Sequence, residues 1–198
     1  MGRGRGRPRI EKRLEDIIEV AAAHFCQRGF AEATLEDIAL ELGMTRPALY
    51  HYAASKEELL MKCCDWSFEQ YIEKTQNLFV EKLNGKEILK KFFLIYSELV
   101  CDDVGRCFIS LSARRREAAN QASPGKQMRA VNSTLSQILD QGIADGSLAG
   151  CVDKKATIAA LFGAFNSLPT IIKPKSKSAG AMGARLLSVF LDGLAPGQ

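Results

Sequence analysis

Residues 34–50, TLEDIALELGMTRPALY, contain two short helical patterns separated by a glycine. Thr34 is a typical N-cap residue, and the apolar residues that follow it recur with helical spacing as far as Gly43. Thr45 can cap a second helix, in which Pro47 is tolerated because a first-turn N–H has no intrahelical partner. The stretch therefore predicts a helix, a three-residue turn and a second helix.

The polarity of the same stretch predicts a buried face and an exposed face. The apolar side chains expected to face inward are Leu35, Ile38, Ala39, Leu42 and Leu49. Those left facing outward, at the start and on the exposed side of the second helix, are Thr45, Arg46, Ala48, Tyr50 and His51. A helix with this polarity suits the major groove of DNA. The alternative is a small helical domain in which Tyr50 is a packing residue.

The outward residues have the chemistry that DNA contacts require. Arg46 can pair with guanine acceptors or with a phosphate, and Ala48 can touch a base edge or a thymine methyl group. The donors that can reach phosphates are the Thr45 hydroxyl and the polar groups of Tyr50 and His51. We therefore expect both base and backbone contacts from the second helix.

Two further helices flank this motif. Apolar residues with helical spacing predict a first helix over residues 10–25. Downstream, Ser55 and Glu58 have the spacing of a capping box, which predicts a long helix that continues past Tyr71. Lys56 adds positive charge at the start of that helix, where the helix dipole also favours a phosphate.

The pattern that runs from the first helix through residues 50–60, YHYAASKEELL, resembles the TetR family of transcription regulators. The resemblance covers about the first third of the chain. It implies an all-α protein, with an N-terminal three-helix DNA-binding domain that contains a helix-turn-helix, joined to a larger helical ligand-binding and dimerisation domain. It also implies DNA-facing positions for Thr34, Thr45, Arg46, Pro47, Ala48, Tyr50, His51 and Lys56.

The same resemblance implies the function and the partners. The expected protein is a regulator, commonly a repressor, that binds a palindromic double-stranded DNA operator as a homodimer and is released by a small-molecule effector. The implied domains are a flexible arm over residues 1–9, the DNA-binding domain over 10–54 and the ligand-binding and dimerisation domain over 55–198.

The arm is strongly basic. Its arginines are Arg3, Arg5, Arg7 and Arg9, and they alternate with small residues in the sequence GRGRGRPR. This segment resembles an AT-hook, in which an extended Gly-Arg-Pro core follows the narrow minor groove of A·T-rich DNA. A purely electrostatic tail is the alternative, and an architectural protein that binds A·T-rich DNA is the alternative function.

Beyond the DNA-binding domain, the sequence indicates helices but no motif. The candidate lining of a ligand cavity is Trp66, Phe92, Tyr96, Phe108, Arg114 and Phe165. Each aromatic residue in this set can equally be core, and the arginines at 114–116 can bind a phosphate-bearing ligand or lie in solvent. Small residues alternate with large apolar ones over 154–172 and 179–194, which suits the two helices that pair between copies in TetR-like dimers.

Composition excludes several other classes of protein. The chain has 198 residues, a net charge of +4 and a 46% hydrophobic share, which is ordinary for a packed globular protein. Its six cysteines include no CxxC pair, and no metal site or cofactor is expected. The sequence shows no nucleophile with a plausible general base, so an enzyme is not expected either. No apolar run approaches the roughly 20 residues of a membrane helix, and we expect a cytoplasmic protein with reduced thiols.

Overall fold

The computed structural model describes residues 7–107, 109, 126–150, 153–173 and 178–193, and the regular structure within these ranges is α-helical. The first helices along the chain are α1 (Arg7–Gln27), α2 (Gly29–Glu32), α3 (Leu35–Glu41), α4 (Arg46–Tyr50) and α5 (Lys56–Thr75). The later ones are α6 (Gly85–Cys101), α7 (Lys126–Ala144), α8 (Lys154–Phe165), α9 (Leu168–Ile171) and α10 (Ala179–Asp192). Residues 103–107 are also helical. The predicted all-α class is confirmed.

The helices pack as two compact units. The first contains α1 to α4, α5 as far as Ser67, and the helical residues 103–107. The second contains the rest of α5 together with α6 to α10. A packing unit need not coincide with a functional domain, so the boundary predicted between residues 54 and 55 stays a prediction.

The first unit has a core built from one face of each helix. Its fully buried side chains include Ile17 on α1, Ile38 on α3, Leu49 on α4 and Leu59 on α5. The inward face predicted for the helix-turn-helix is confirmed at every position except Leu42, which is half-buried because it lies at the C-cap of α3. Burial of these apolar faces holds α3 and α4 in place.

Local capping determines where α3, α4 and α5 begin. The hydroxyl oxygen of Thr34 accepts a hydrogen bond from the Asp37 backbone N–H at 3.1 Å, and that of Thr45 accepts one from Ala48 at 3.4 Å. Ser55 likewise accepts from the Glu58 N–H at 3.1 Å. The capping box predicted there is only half correct, because the Glu58 carboxylate accepts from the Ala54 N–H at 2.8 Å and not from the N–H of Ser55.

The start of α1 differs from the sequence prediction. The helix begins at Arg7, so that the backbone at Arg7 and Arg9 is helical, whereas the sequence predicts a flexible arm over residues 1–9. Pro8 fits the first turn of a helix, where its missing N–H costs no hydrogen bond. Gly29, two residues after the end of α1, has a φ of +81° and begins the short helix α2, which the sequence analysis does not predict.

The second unit has an aromatic core. The ring of Phe93 on α6 lies 4.2 Å from that of Phe165 on α8 and 5.9 Å from that of Phe162, measured between centroids. Tyr96 packs edge-on against Phe162 at 5.2 Å. All four side chains are buried, so these rings join α6 and α8 through apolar contact.

Glycines bring other helices of this unit into close contact. On α10, a side chain at Gly183 would collide with Ser97 of α6, and at the start of α6 a side chain at Gly85 would collide with the backbone of Gly142 on α7. Small residues at helix crossings permit this close approach.

The cysteines within the described ranges are thiols that pack inside the two units. In the first unit, the Cys26 thiol donates to the Asp103 carbonyl oxygen at 3.2 Å, and the Cys63 thiol donates to that of Ile18 at 3.7 Å. The hydrogen bond with Cys107 and burial raise the pKa of Cys26 far above its ordinary value. The Cys26 thiol is therefore a protonated packing group at neutral pH.

Candidate nucleic-acid interface

The helix-turn-helix has a polar exposed surface, and a buried apolar side chain anchors the helix that carries it. Leu49 is fully buried and anchors α4, whereas Arg46, Pro47, Tyr50 and His51 are exposed. The caps Thr34 and Thr45 are exposed and Ala48 is half-buried. All the residues of this motif that were predicted to face DNA are therefore accessible to solvent. Their contacts with DNA stay a prediction.

Arg46 is held by two side chains within this surface. Its Nε lies 2.8 Å from Oε1 of Glu36 on α3, and its Nη2 donates to the Tyr50 hydroxyl at 3.1 Å. The guanidinium also lies 5.3 Å from the centre of the Tyr50 ring. The hydrogen bond to Tyr50 and the charge of Glu36 raise the pKa of Arg46, so the group is cationic at every physiological pH.

Glu36 was missed by sequence reasoning. Its partner lies ten positions later on a different helix, so no helical spacing links the two residues in the sequence. An acidic residue also has no obvious place on a surface expected to meet phosphates.

The hydroxyl groups of the two cap threonines can still donate hydrogen bonds. The oxygens of Thr34 and Thr45 accept backbone N–H groups, but a hydroxyl that accepts a hydrogen bond still carries its own hydrogen. Each can therefore donate to a phosphate at the start of its helix.

Lys56 makes contacts that sequence reasoning did not foresee. Its ammonium donates to the Ala31 carbonyl oxygen at 2.9 Å and lies 4.8 Å from the centre of the Phe30 ring. These contacts tie the start of α5 to α2. An ammonium has three donors, so the predicted phosphate contact is compatible with this position.

We expect Lys56→Ala to lower the free energy of unfolding by about 1 kcal/mol, because it removes a hydrogen bond and a cation–π contact. Thermal denaturation followed by circular dichroism should show a fall in Tm of about 2 to 4 °C. The control is Lys62→Ala on the same helix, where an exposed ion pair with Glu58 at 3.5 Å is worth about 0.5 kcal/mol or less. Equal shifts for the two variants would contradict this role for Lys56.

Two polar contacts, an ion pair and a hydrogen bond, join other residues of the first unit to α3. Arg28 Nη1 lies 3.0 Å from the Asp37 carboxylate, and His24 Nε2 lies 2.7 Å from that of Glu41. His24 is buried, and its Nδ1 has no hydrogen-bond partner among the residues that the structure describes. Arg28 and His24 therefore brace α3.

The predicted ligand-lining residues lie in two different settings. Phe92, Tyr96 and Phe165 are buried in the aromatic core of the second unit, and the Tyr96 hydroxyl donates to Asn166 Oδ1 at 2.7 Å. Burial raises the pKa of Tyr96 above its ordinary value. Trp66 is half-buried in the first unit. Phe108, Arg114 and the arm residues Arg3 and Arg5 lie outside the described residues.

Two cavities of the second unit lie elsewhere. One, of about 470 Å³, is lined by residues that include Leu89, Leu148 and Phe190. The other, of about 400 Å³, is lined by residues that include Leu94 and Leu187. Lys86 borders both of them. Phe92, Tyr96 and Phe165 line neither cavity, because their rings pack against each other and their neighbours, and their role toward a ligand stays a prediction.

Metal-binding clusters and membrane-spanning helices are both absent from the described ranges. No group of three histidine, cysteine or acidic side chains in them could hold a metal ion. No helix in them is long and apolar enough to cross a membrane.

The part of the chain that contains the helix-turn-helix is similar in sequence to bacterial regulators. Residues 17–63 match the family model for bacterial regulatory proteins of the tetR family. The chain is 33% identical over 103 residues to the HTH-type transcriptional repressor KstR2 of Mycobacterium tuberculosis, which covers 45% of this chain and 52% of that protein. It is 35% identical over 85 residues to the uncharacterized HTH-type transcriptional regulator YerO of Bacillus subtilis, covering 41% and 29% respectively. The matches thus span about half or less of these relatives.

Solved structures resemble nearly the whole chain in fold. The structure of the ketosteroid transcriptional regulator KstR2 of Mycobacterium tuberculosis matches with a TM-score of 0.72 and 21% identity, covering 93% of this chain and 96% of that one. The complex of AibR with isovaleryl coenzyme A and operator DNA matches with a TM-score of 0.65 and 20% identity, covering 90% and 97%. The resemblance therefore extends beyond the helix-turn-helix into the second unit.

Proposed function

We propose that the chain is a bacterial regulatory protein of the TetR family, and that it is a cytoplasmic repressor whose homodimer binds a palindromic operator. A small-molecule effector would release it. The observation that carries the proposal is the exposed face of α4, which the buried Leu49 supports and on which Arg46 and Tyr50 present donors. Donors of this kind at the start of a recognition helix can reach base edges and phosphates.

The proposed dimer would use α8 and α10. Beyond Lys154 and Lys155 in its first turn, the exposed residues of α8 are small, namely Ala156, Ala159, Ala160 and Gly163. On α10, Val189 is 44% exposed and Phe190 is 41% exposed. Small residues let helices approach, and exposed large apolar residues favour burial against a second copy.

The proposed response to an effector is a coupling between two binding equilibria. The helix α5 is continuous from Lys56 in the first unit to Thr75 in the second, so it provides a covalent route between the proposed DNA-binding and ligand-binding regions. By linkage, a ligand that weakens operator binding a hundredfold must bind the operator complex a hundredfold more weakly, which is a coupling of ~2.7 kcal/mol. AibR, which has the same fold, was solved in complex with isovaleryl coenzyme A and operator DNA, so a protein of this fold binds both kinds of partner.

The test is selection of binding sites from random-sequence DNA by the purified protein, with light scattering to measure its mass. We expect a dimer and a palindrome whose half-site centres lie about 34 to 36 Å apart, or a multiple of that distance. Phe190→Glu should dissociate the dimer and reduce operator affinity, because it places a charge in the proposed interface. The matched control is Val80→Glu, at a position that is 80% exposed in the same unit and belongs to neither α8 nor α10.

Two results would count against the proposal. A monomer that binds half a site as tightly as a full site would exclude the dimeric mode. Selection of A·T-rich DNA without a palindrome would indicate the architectural function instead.

A further inference from the structure

We infer that Glu36 determines base specificity by holding Arg46 so that the terminal edge of its guanidinium faces guanine. The inference rests on the proposed function, since it concerns the same DNA-binding surface. Glu36 would act through Arg46 and is a positioning residue, which is unexpected for an acidic side chain beside DNA.

The Arg46 guanidinium retains N–H donors that can bind DNA. A guanidinium has five N–H donors, and Tyr50 accepts from one of the two on Nη2. The Glu36 carboxylate lies at the Nε side of the group in an ion pair, so the terminal nitrogens offer DNA two donors on Nη1 and one on Nη2. Two of these lie side by side at the end of the guanidinium, and this geometry matches the O6 and N7 acceptors of guanine.

The charge of Glu36 favours a base over a phosphate as the partner of Arg46. A phosphate that approached the guanidinium would also approach the Glu36 carboxylate, which lies 2.8 Å from Nε. Like charges repel, whereas the O6 and N7 atoms of guanine carry no net charge. Glu36 therefore discourages the sequence-independent contact that an unpaired arginine would make.

The arrangement is built from two helices. Glu36 lies in the first turn of α3, and Tyr50 lies one turn after Arg46 on α4. A single exposed ion pair is weak, but here an ion pair, a hydrogen bond and a ring contact act on one guanidinium. Together they restrict the rotamers of Arg46 before DNA arrives, which lowers the entropy cost of a base contact.

The experiment compares Glu36→Ala with Glu32→Ala, each in the full chain, by selection from random DNA and by titration at several salt concentrations. Glu32 is an exposed acid at the end of α2, so its replacement removes the same charge from the same unit. For Glu36→Ala we expect discrimination at one guanine of each half-site to fall by about fivefold or more. The slope of log affinity against log salt should steepen by about one unit, because the released Arg46 can pair with a phosphate.

A second variant checks the direction of the effect. Tyr50→Phe keeps the ring and removes the hydroxyl that accepts from Arg46, and we expect a smaller loss at the same guanine. The inference is overturned if Glu36→Ala keeps the base preference of the wild type, or if the two variants alter different positions. A wild-type protein that selects no sequence would instead refute the proposed function. Thermal denaturation of each variant confirms that it is folded.

Discussion

Replacing Phe93 by alanine is expected to lower the free energy of unfolding by about 3 to 5 kcal/mol, the cost of a large cavity in a packed core. The side chain is 1% exposed, and its ring lies 5.2 Å from that of Phe92 and 4.2 Å from that of Phe165. The rings of α6 and α8 cannot close over the space without moving both helices. Tm should fall by about 6 to 20 °C for a chain of this size.

The control for this variant is the next residue along α6. Leu94 is 45% exposed, so Leu94→Ala removes less buried surface and should cost about 1 kcal/mol or less. Urea unfolding followed by circular dichroism measures both variants, and similar m-values show that the comparison concerns stability. Equal losses would mean that the aromatic cluster does not form the core of the second unit.

Gly183→Ala is the second change with a large expected effect. The added Cβ would lie 2.7 Å from Cβ of Ser97 and closer still to its Oγ. Ser97 is fully buried and its hydroxyl donates to the Phe93 carbonyl oxygen at 2.6 Å, so it cannot move aside without losing that bond. We expect a loss of about 1 to 3 kcal/mol as α10 is forced away from α6.

A glycine three residues earlier on α10 is the matched control. A Cβ at Gly180 would lie 2.8 Å from Cδ1 of Leu94, which is the end of a flexible and exposed side chain. Rotation of Leu94 relieves this contact, and alanine improves helix propensity by up to about 1 kcal/mol. Gly180→Ala should therefore be neutral or stabilising in thermal denaturation. If both variants destabilise the protein alike, the close approach at Gly183 is not the cause.

The helix-turn-helix could be predicted from the sequence because its determinants are local. Thr34 and Thr45 cap helices whose N–H groups lie three positions away, and Gly43 has the positive φ of 60° that a tight turn requires. Apolar spacing likewise predicted the buried face that ends in Leu49. Interactions between residues so close in sequence cost little chain entropy to form, and the residues that make them can be identified from the sequence.

At the start of α6, one capping contact is local in sequence and another joins residues far apart in sequence. Asn84 and Glu87, three positions apart, form a capping box, but the Gly85 N–H donates to Asp145, 60 positions away, at 2.7 Å. The hydrogen bonds from Ser147 and Gly85 lower the pKa of Asp145. A carboxylate so distant in sequence becomes a cap only because α6 and α7 meet at their glycines.

The sequence by itself determined the helical class, the helix-turn-helix and the residues that face outward on it. The tertiary structure decided that Phe92, Tyr96 and Phe165 pack in an aromatic core and that Lys56 contacts α2. It also decided that Glu36 holds Arg46. The reason is that periodicity specifies which face of a helix is buried, whereas a contact between two side chains depends on how separate helices cross, which the packing of their side chains sets.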